Sequence, residues 1–350
     1  MTKITLYLLL ISSGLLLFYF GAIIYTWFFR YFSELRIKKQ KQHLEKLVHS
    51  VLNLADKEGK VNAIQKLKSF VKDSATRKNL LINILIDYGD EYIEGNQDLL
   101  MNVYEITGIK PFLIKRLSAK SFFIKSLACR QLGALKIKNS EAYILKLISC
   151  ENNDVRYNVL LALARLGDIN GLIFIFINKS EDINISYRAV IEIISAFTGS
   201  KEDLFKRTLE LSDDYIRGIL IKAAADYKIE GLKEYYLKFL ESNDKNLRIA
   251  CIRALCEFGD WANEDDVINM LTDKDWEVRA AAAKSLQQIG TNNCFTALGK
   301  AIGDSEWWVR HNAASALIFL PGGKEYASKI INGNDKYARE AVVSVMEMIN

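Results

Sequence analysis

Seven arginines, Arg156, Arg188, Arg217, Arg248, Arg279, Arg310 and Arg339, recur along this 350-residue chain at intervals of 32, 29, 31, 31, 31 and 29. The neighbourhoods recur with them. The stretch from Asp275 to Gly290 aligns without a gap on Glu306 to Leu320 at a shift of 31, matching Trp276 with Trp307, Val278 with Val309, Ala282 with Ala313 and Leu286 with Leu317. One step back, Asp244 to Gly259 repeats the pattern, and Asp213 to Arg217, Ser186 to Arg188 and Asp154 to Gly167 continue it. Lys125 occupies the arginine slot of an earlier copy, and Asp335 to Arg339 opens a last one. Apolar residues at Val278, Ala282, Leu286 and Ile289 keep helical spacing. Glycines follow where a left-handed helix cap belongs, at Gly133, Gly167, Gly199, Gly259, Gly290 and Gly322. A second, shorter helix is predicted in each copy, as over Leu204–Leu211, Leu232–Leu240 and Glu264–Leu271. Only Pro111 and Pro321 interrupt the helix-forming sequence. One helix pair cannot bury its own apolar face, so pairs with a constant step must stack. The predicted fold is all-α, an α-solenoid of stacked antiparallel helix pairs.

The pattern D-x-x-V-R-x-x-A-x-x-A-L-x-x-L-G resembles the short bacterial HEAT repeats, of the type also called PBS-lyase HEAT-like. The resemblance covers residues 118–350 and is strongest at 244–320. Residues 60–117 read as degenerate or irregular N-terminal repeats, with one copy over Thr76–Gly89 and an irregular helix over Glu91–Gly108. Between Leu44 and Ala55 the stripe Leu44, Leu47, Val48, Val51, Leu52 and Ala55 is amphipathic and suits a cap on the first repeat.

The chain begins differently. From Ile4 to Phe29 there are 26 consecutive residues without a charge. At about 1.5 Å per residue such a helix spans a hydrocarbon core of roughly 30 Å with some tilt. A cleavable signal peptide would end in small residues, whereas this segment ends in Tyr25, Trp27, Phe28 and Phe29 before Arg30. The expectation is a retained single-pass anchor over residues 1–30. A basic juxtamembrane segment and amphipathic helix follow at 31–59. Lys3 alone precedes the anchor, and Arg30, Arg36, Lys38, Lys39, Lys41 and Lys46 follow it. The positive-inside rule then puts the N-terminus outside and the repeats in the cytoplasm.

Residues 1–50 hold 7 Lys/Arg and 2 Asp/Glu, equal to the whole formal charge of +5, and the remaining 300 residues hold 40 of each sign. The excess belongs to the membrane flank, so no nucleic-acid partner is expected. Cys129, Cys150, Cys251, Cys256 and Cys294 form no CxxC pair and read as free thiols.

Most repeat arginines stand four residues after an acid, as in Asp244/Arg248, Asp275/Arg279 and Asp335/Arg339. The acid can cap its helix and pair with the arginine of its own or the neighbouring copy. In HEAT-like families such residues form an inter-repeat ladder, and the resemblance implies one here through all seven arginines. Trp276 and Trp307, each three residues before an arginine, can stack on it. Trp308 shares a polar stripe with Asn312 and Ser315, away from the core stripe of Val309, Ala313, Ala316, Leu317 and Leu320. Trp276, Trp307, Trp308, His311 and Asn312 are therefore the candidate protein-binding residues.

No catalytic constellation appears. The three histidines His43, His49 and His311 make no HExxH or HE pattern, and Pro321-Gly322-Gly323-Lys324 lacks the spacing of a phosphate loop. No catalytic residue, cofactor or metal ligand is assigned. The reading is a membrane-tethered scaffold or adaptor that binds other proteins, by fold-level analogy within an envelope-polysaccharide, secretion or signalling assembly. A lyase-like enzyme or enzyme subunit, and a self-associating architectural protein, are the alternatives.

Overall fold

The computed structural model describes residues 2–53, 57–178, 186–257, 259 and 263–349. Among these there is no strand, and the chain is an all-α protein of two compact units, Met1–Tyr143 and Ile144–Asn350.

The first unit is organised on one helix, α1, which runs unbroken over Thr2–Asn53. At about 1.5 Å per residue it is about 78 Å long. Its apolar part is exposed along its described length, and among the described residues it is the one helix long and apolar enough to cross a membrane. Its other end carries Leu44, Val48 and Val51, all fully buried against α2 (Lys57–Val71) and α3 (Ala75–Asp87). Ala55 of the predicted stripe lies outside the described residues. The apolar stretch and the core thus share one helix. The remaining helices of this unit are α4 (Asp90–Gly95), α5 (Gln97–Ile106), α6 (Ile109–Leu117) and α7 (Phe122–Ala134).

The second unit alternates two helix types. The arginine-bearing helices are α8 (Asn153–Leu166), α10 (Tyr187–Ala196), α12 (Asp214–Asp226), α14 (Lys245–Glu257), α16 (Trp276–Ile289), α18 (Trp307–Phe319) and α20 (Lys336–Ile349). Between them lie the partner helices α9 (Ile169–Asn178), α11 (Lys201–Leu211), α13 (Lys233–Phe239), α15 (Glu264–Asn269), α17 (Phe295–Ala301) and α19 (Gly323–Ile331). From α12 onwards each arginine helix packs on the next, α12 on α14, α14 on α16, α16 on α18 and α18 on α20. The core between layers comes from the expected stripe, with Val278, Ala282, Leu286, Val309, Ala313 and Leu317 fully buried.

The glycines divide. Gly167 closes α8 in the left-handed conformation, φ 72°, with its N–H on the carbonyls of Leu163 and Ala164. Gly290 is not a left-handed cap, because its φ is −68° and its ψ 145°. Space explains that position: a Cβ there would stand 2.4 Å from the Leu286 carbonyl oxygen and 2.9 Å from Cys294 Sγ. Gly133 lies inside α7, and the left-handed residue after that helix is Lys136.

The division into units also divides the charge. Residues 1–143 hold 22 Lys/Arg and 12 Asp/Glu, net +10, whereas residues 144–350 hold 25 and 30, net −5. The balance of 40 against 40 over residues 51–350 conceals this contrast.

Candidate functional site

The arginine helices are fixed at their N-termini by a recurring contact that the four-residue spacing does not reveal. Arg248 donates to the carbonyl of Ser242, Arg279 to Asp273, Arg310 to Asp304 and Arg339 to Gly333, each six residues back, at 2.7, 2.9, 2.8 and 3.0 Å. The arginine pins the loop that enters its own helix. Its second contact depends on what the next repeat offers. Arg248 makes two 2.9 Å bonds to Asp273 and one of 2.6 Å to Asp275, and Arg279 makes bonds of 2.7 and 2.9 Å to Asp304. Asp273 and Asp304 each also accept the backbone N–H two residues on, from Asp275 and Glu306.

At Arg217 and Arg310 the equivalent carboxylate is missing, and for Arg156 the slot six residues before Arg188 is Asp182, outside the described residues. The slot facing Arg217 holds Ser242, and Arg217 pairs instead with Asp214 of its own helix at 2.8 Å and lies over Phe239. The slot facing Arg310 holds Gly333, and Arg310 lies over Tyr337. Arg156 bonds Asn153 and the carbonyl of Glu151. Arg188, in α10, acts on Tyr157 through its charge. The acids preceding the arginines likewise divide. Asp213, Asp244 and Asp335 cap their helices through backbone N–H groups, whereas Asp275 makes no cap bond because its carboxylate is on Arg248.

In this same layer, α14, α16 and α18 line a groove of about 680 Å³. Trp276 and Trp308 line it, 36% and 55% exposed, together with Arg253, Glu257, Lys284 and Gln288. The floor is made of small side chains, Ala280, Ala281 and Ser285, which let neighbouring helices approach. Asn312 reaches across to donate to the Ala280 carbonyl at 3.0 Å. A second hollow of about 470 Å³ adjoins it over α10, α12 and α14 and shares Ile249, Arg253 and Glu257. Tyr187 and Tyr215 line that part, and Tyr187 donates to Asp226 at 2.6 Å. Burial and that carboxylate push the Tyr187 hydroxyl pKa up, so it stays a donor.

Trp307 is outside the groove. It is 50% exposed, stacks on His311 at 4.9 Å and meets Trp308 edge-on at 4.7 Å. The expected tryptophan–arginine stacks are replaced, since Arg279 is held edge-on by Asp304 and Arg310 faces Tyr337. Of the five candidate residues the structure brings Trp276, Trp308 and Asn312 to one groove and sets Trp307 and His311 beside it. Tyr215 stands two residues before Arg217, the position Trp308 holds before Arg310, so the period carried its signal, whereas Tyr187, one residue before Arg188, matches neither tryptophan position.

The thiols offer no reactive site on this surface. Burial pushes the Cys256 thiol up to about 11 and raises Cys251 further, so both are protonated at neutral pH. Cys251 is fully buried, and Cys256 touches the groove only at its floor.

The HEAT-repeat family pattern matches residues 234–318 and 266–347. These spans contain the four copies that share the six-residue arginine contact. Among solved structures the chain is similar to human deoxyhypusine hydroxylase, at 12% identity over 81% of this chain and 97% of that one, TM-score 0.31. It is also similar to a chain of the complex in which Kap95p binds RanGDP, at 16% identity over 89% of this chain and 47% of that one, TM-score 0.35. No curated protein matches the chain.

Proposed function

We propose that this protein is a membrane-tethered scaffold whose repeat unit binds a protein partner along the groove of α14, α16 and α18. The observation that carries the reading is the pair of half-exposed rings, Trp276 and Trp308, flanking a floor of alanines. Large rigid aromatics beside a hollow of small residues supply contact area at little conformational cost, which is the composition of binding hot spots. The repeat arginines do not compete for this role, because their guanidiniums are engaged at the helix N-termini. The apolar segment Ile4–Phe29 serves as the anchor, with Arg30, Arg36, Lys38, Lys39 and Lys41 on its cytoplasmic flank. Tethering raises the concentration of partners at the bilayer.

The test is gentle detergent extraction of the tagged full-length protein, comparing co-purifying proteins between the wild type and a Trp276→Ala/Trp308→Ala variant of unchanged melting temperature. Selective loss of one partner supports the groove. An unchanged set of co-purifying proteins refutes it.

A further inference from the structure

The basic flank of the anchor is larger than its sequence run. α2 begins within four residues of the end of α1 and packs along it, and near its other end the Phe70 ring lies 4.7 Å from His43 of α1. The hairpin therefore brings the end of α2 back towards the apolar stretch. That end carries exposed Lys68 and Lys72, and Arg77 at the start of α3 holds it in place through a 2.9 Å bond to the Phe70 carbonyl. On α1 the facing segment exposes Arg36, Lys38, Lys39 and Lys41. Six cations, four on α1, Lys68 on α2 and Lys72 in the turn after it, thus gather at one end of the bundle, and the acids among them are Glu34, Glu45, Asp73 and Asp87, the last 3.9 Å from Lys41.

The level of this patch along α1 follows from helix geometry. Tyr31, Phe32, Leu35 and Ile37 are all exposed, so apolar side chains persist beyond Arg30 and reach into an interfacial zone. From Ile37 to His43 is about 9 Å along the axis at ~1.5 Å per residue. That distance is close to a Debye length of ~8 Å, and lysine stems extend toward the headgroups.

We propose that the end of the α1–α2 bundle is a docking surface for anionic lipid headgroups, built from Arg36, Lys38, Lys39 and Lys41 of α1 with Lys68 of α2 and Lys72 of the turn that follows it. The first unit carries net +10 and the second −5, so the complementary charge for a negative leaflet is concentrated in the unit that contains the apolar helix. Docking would fix how this unit stands on the bilayer. The inference rests on the reading of α1 as a membrane anchor.

The experiment uses the full-length protein in nanodiscs of phosphatidylcholine alone or with one third phosphatidylserine. Solvent lysines are labelled with a water-soluble amine reagent and read by mass spectrometry, with exposed Lys324 of the second unit as internal standard. Labelling of Lys68 and Lys72 is expected to fall several-fold in the anionic discs and to recover in high salt or in the Lys38→Gln/Lys39→Gln variant. Equal labelling in both lipids overturns the docking surface and leaves the basic run as a stop-transfer flank. Failure of the protein to enter discs of either composition overturns the anchor reading, and the docking surface with it.

Discussion

Removing one repeat arginine should cost very different amounts at different positions, although the sequence makes the seven look equivalent. Arg248 is 4% exposed at its side chain and holds Asp273, itself 9% exposed, and Asp275. Replacing it by Met keeps the packing of the stem and leaves two carboxylates facing one another without a cation. Breaking a buried pair in this way costs about 3–5 kcal/mol. Asp273 retains the Asp275 N–H, which places the expected loss near the lower end, about 3 kcal/mol. Arg310 has carbonyl partners at Asp304 and Ser305 and the Tyr337 ring, and solvent can replace these bonds. Arg310→Met should cost about 1 kcal/mol. For a unit of this size each kcal/mol moves the melting temperature by about 2–4 °C, so Arg248→Met should lower it by about 6–12 °C and Arg310→Met by about 2–4 °C. Far-UV circular dichroism of the detergent-solubilised protein at neutral pH reads both. Equal shifts for the two variants would refute the account of the rungs.

Other positions give separate tests. Burial pushes Asp304 up, but the Arg279 hydrogen bonds and the Glu306 N–H outweigh it and hold its carboxyl below the ordinary aspartate value. A depressed folded pKa contributes stability that is complete at neutral pH and lost as pH falls through that value. The melting gap between wild type and Asp304→Asn should therefore be widest at neutral pH and close below about pH 4; a gap that persists in acid contradicts this. Gly290→Ala should destabilise by about 1–3 kcal/mol through its clash with the Leu286 carbonyl, although its φ suits alanine. Gly218→Ala, in the middle of α12 with nothing within 4 Å of the added carbon, should stabilise by about 0.5–1 kcal/mol. Melting curves of the two glycine variants decide both, and shifts of the same sign would count against the distinction.

What the sequence reveals here follows from what a period can encode. The 31-residue step makes the helix pairs and their core stripe legible, because Val278, Ala282 and Leu286 and their counterparts must meet the next copy in the same way. The rungs were not legible. The acid four residues before most of the arginines attracts attention, yet Asp273 and Asp304, six residues before, receive the guanidinium of the preceding repeat. A signal existed in the aspartates six residues before Arg279 and Arg310, where Ser242 and Gly333 stand six residues before Arg248 and Arg339. The groove was half legible. Trp276 and Trp307 are equivalent by period, and equivalent positions lie on the same side of successive helices, so they do not face each other across one groove. A step of one residue turns a helix by 100°. That turn puts Trp308 on the side facing α16, where Asn312, four residues on, bonds the Ala280 carbonyl. The charge contrast between the two units was hidden by counting over both together.

The central claim, that the repeat unit holds a protein partner in the aromatic groove, is tested most directly by a photo-crosslinking amino acid placed singly at Tyr215, Trp308 or Phe319 of the full-length protein in its own membrane. Tyr215 and Trp308 line the two parts of the groove, and Phe319 is exposed on α18 but lies outside it. The account predicts one common crosslinked protein at Tyr215 and Trp308 and none at Phe319. Crosslinking to that protein at Phe319 alone, or at all three positions alike, would contradict it.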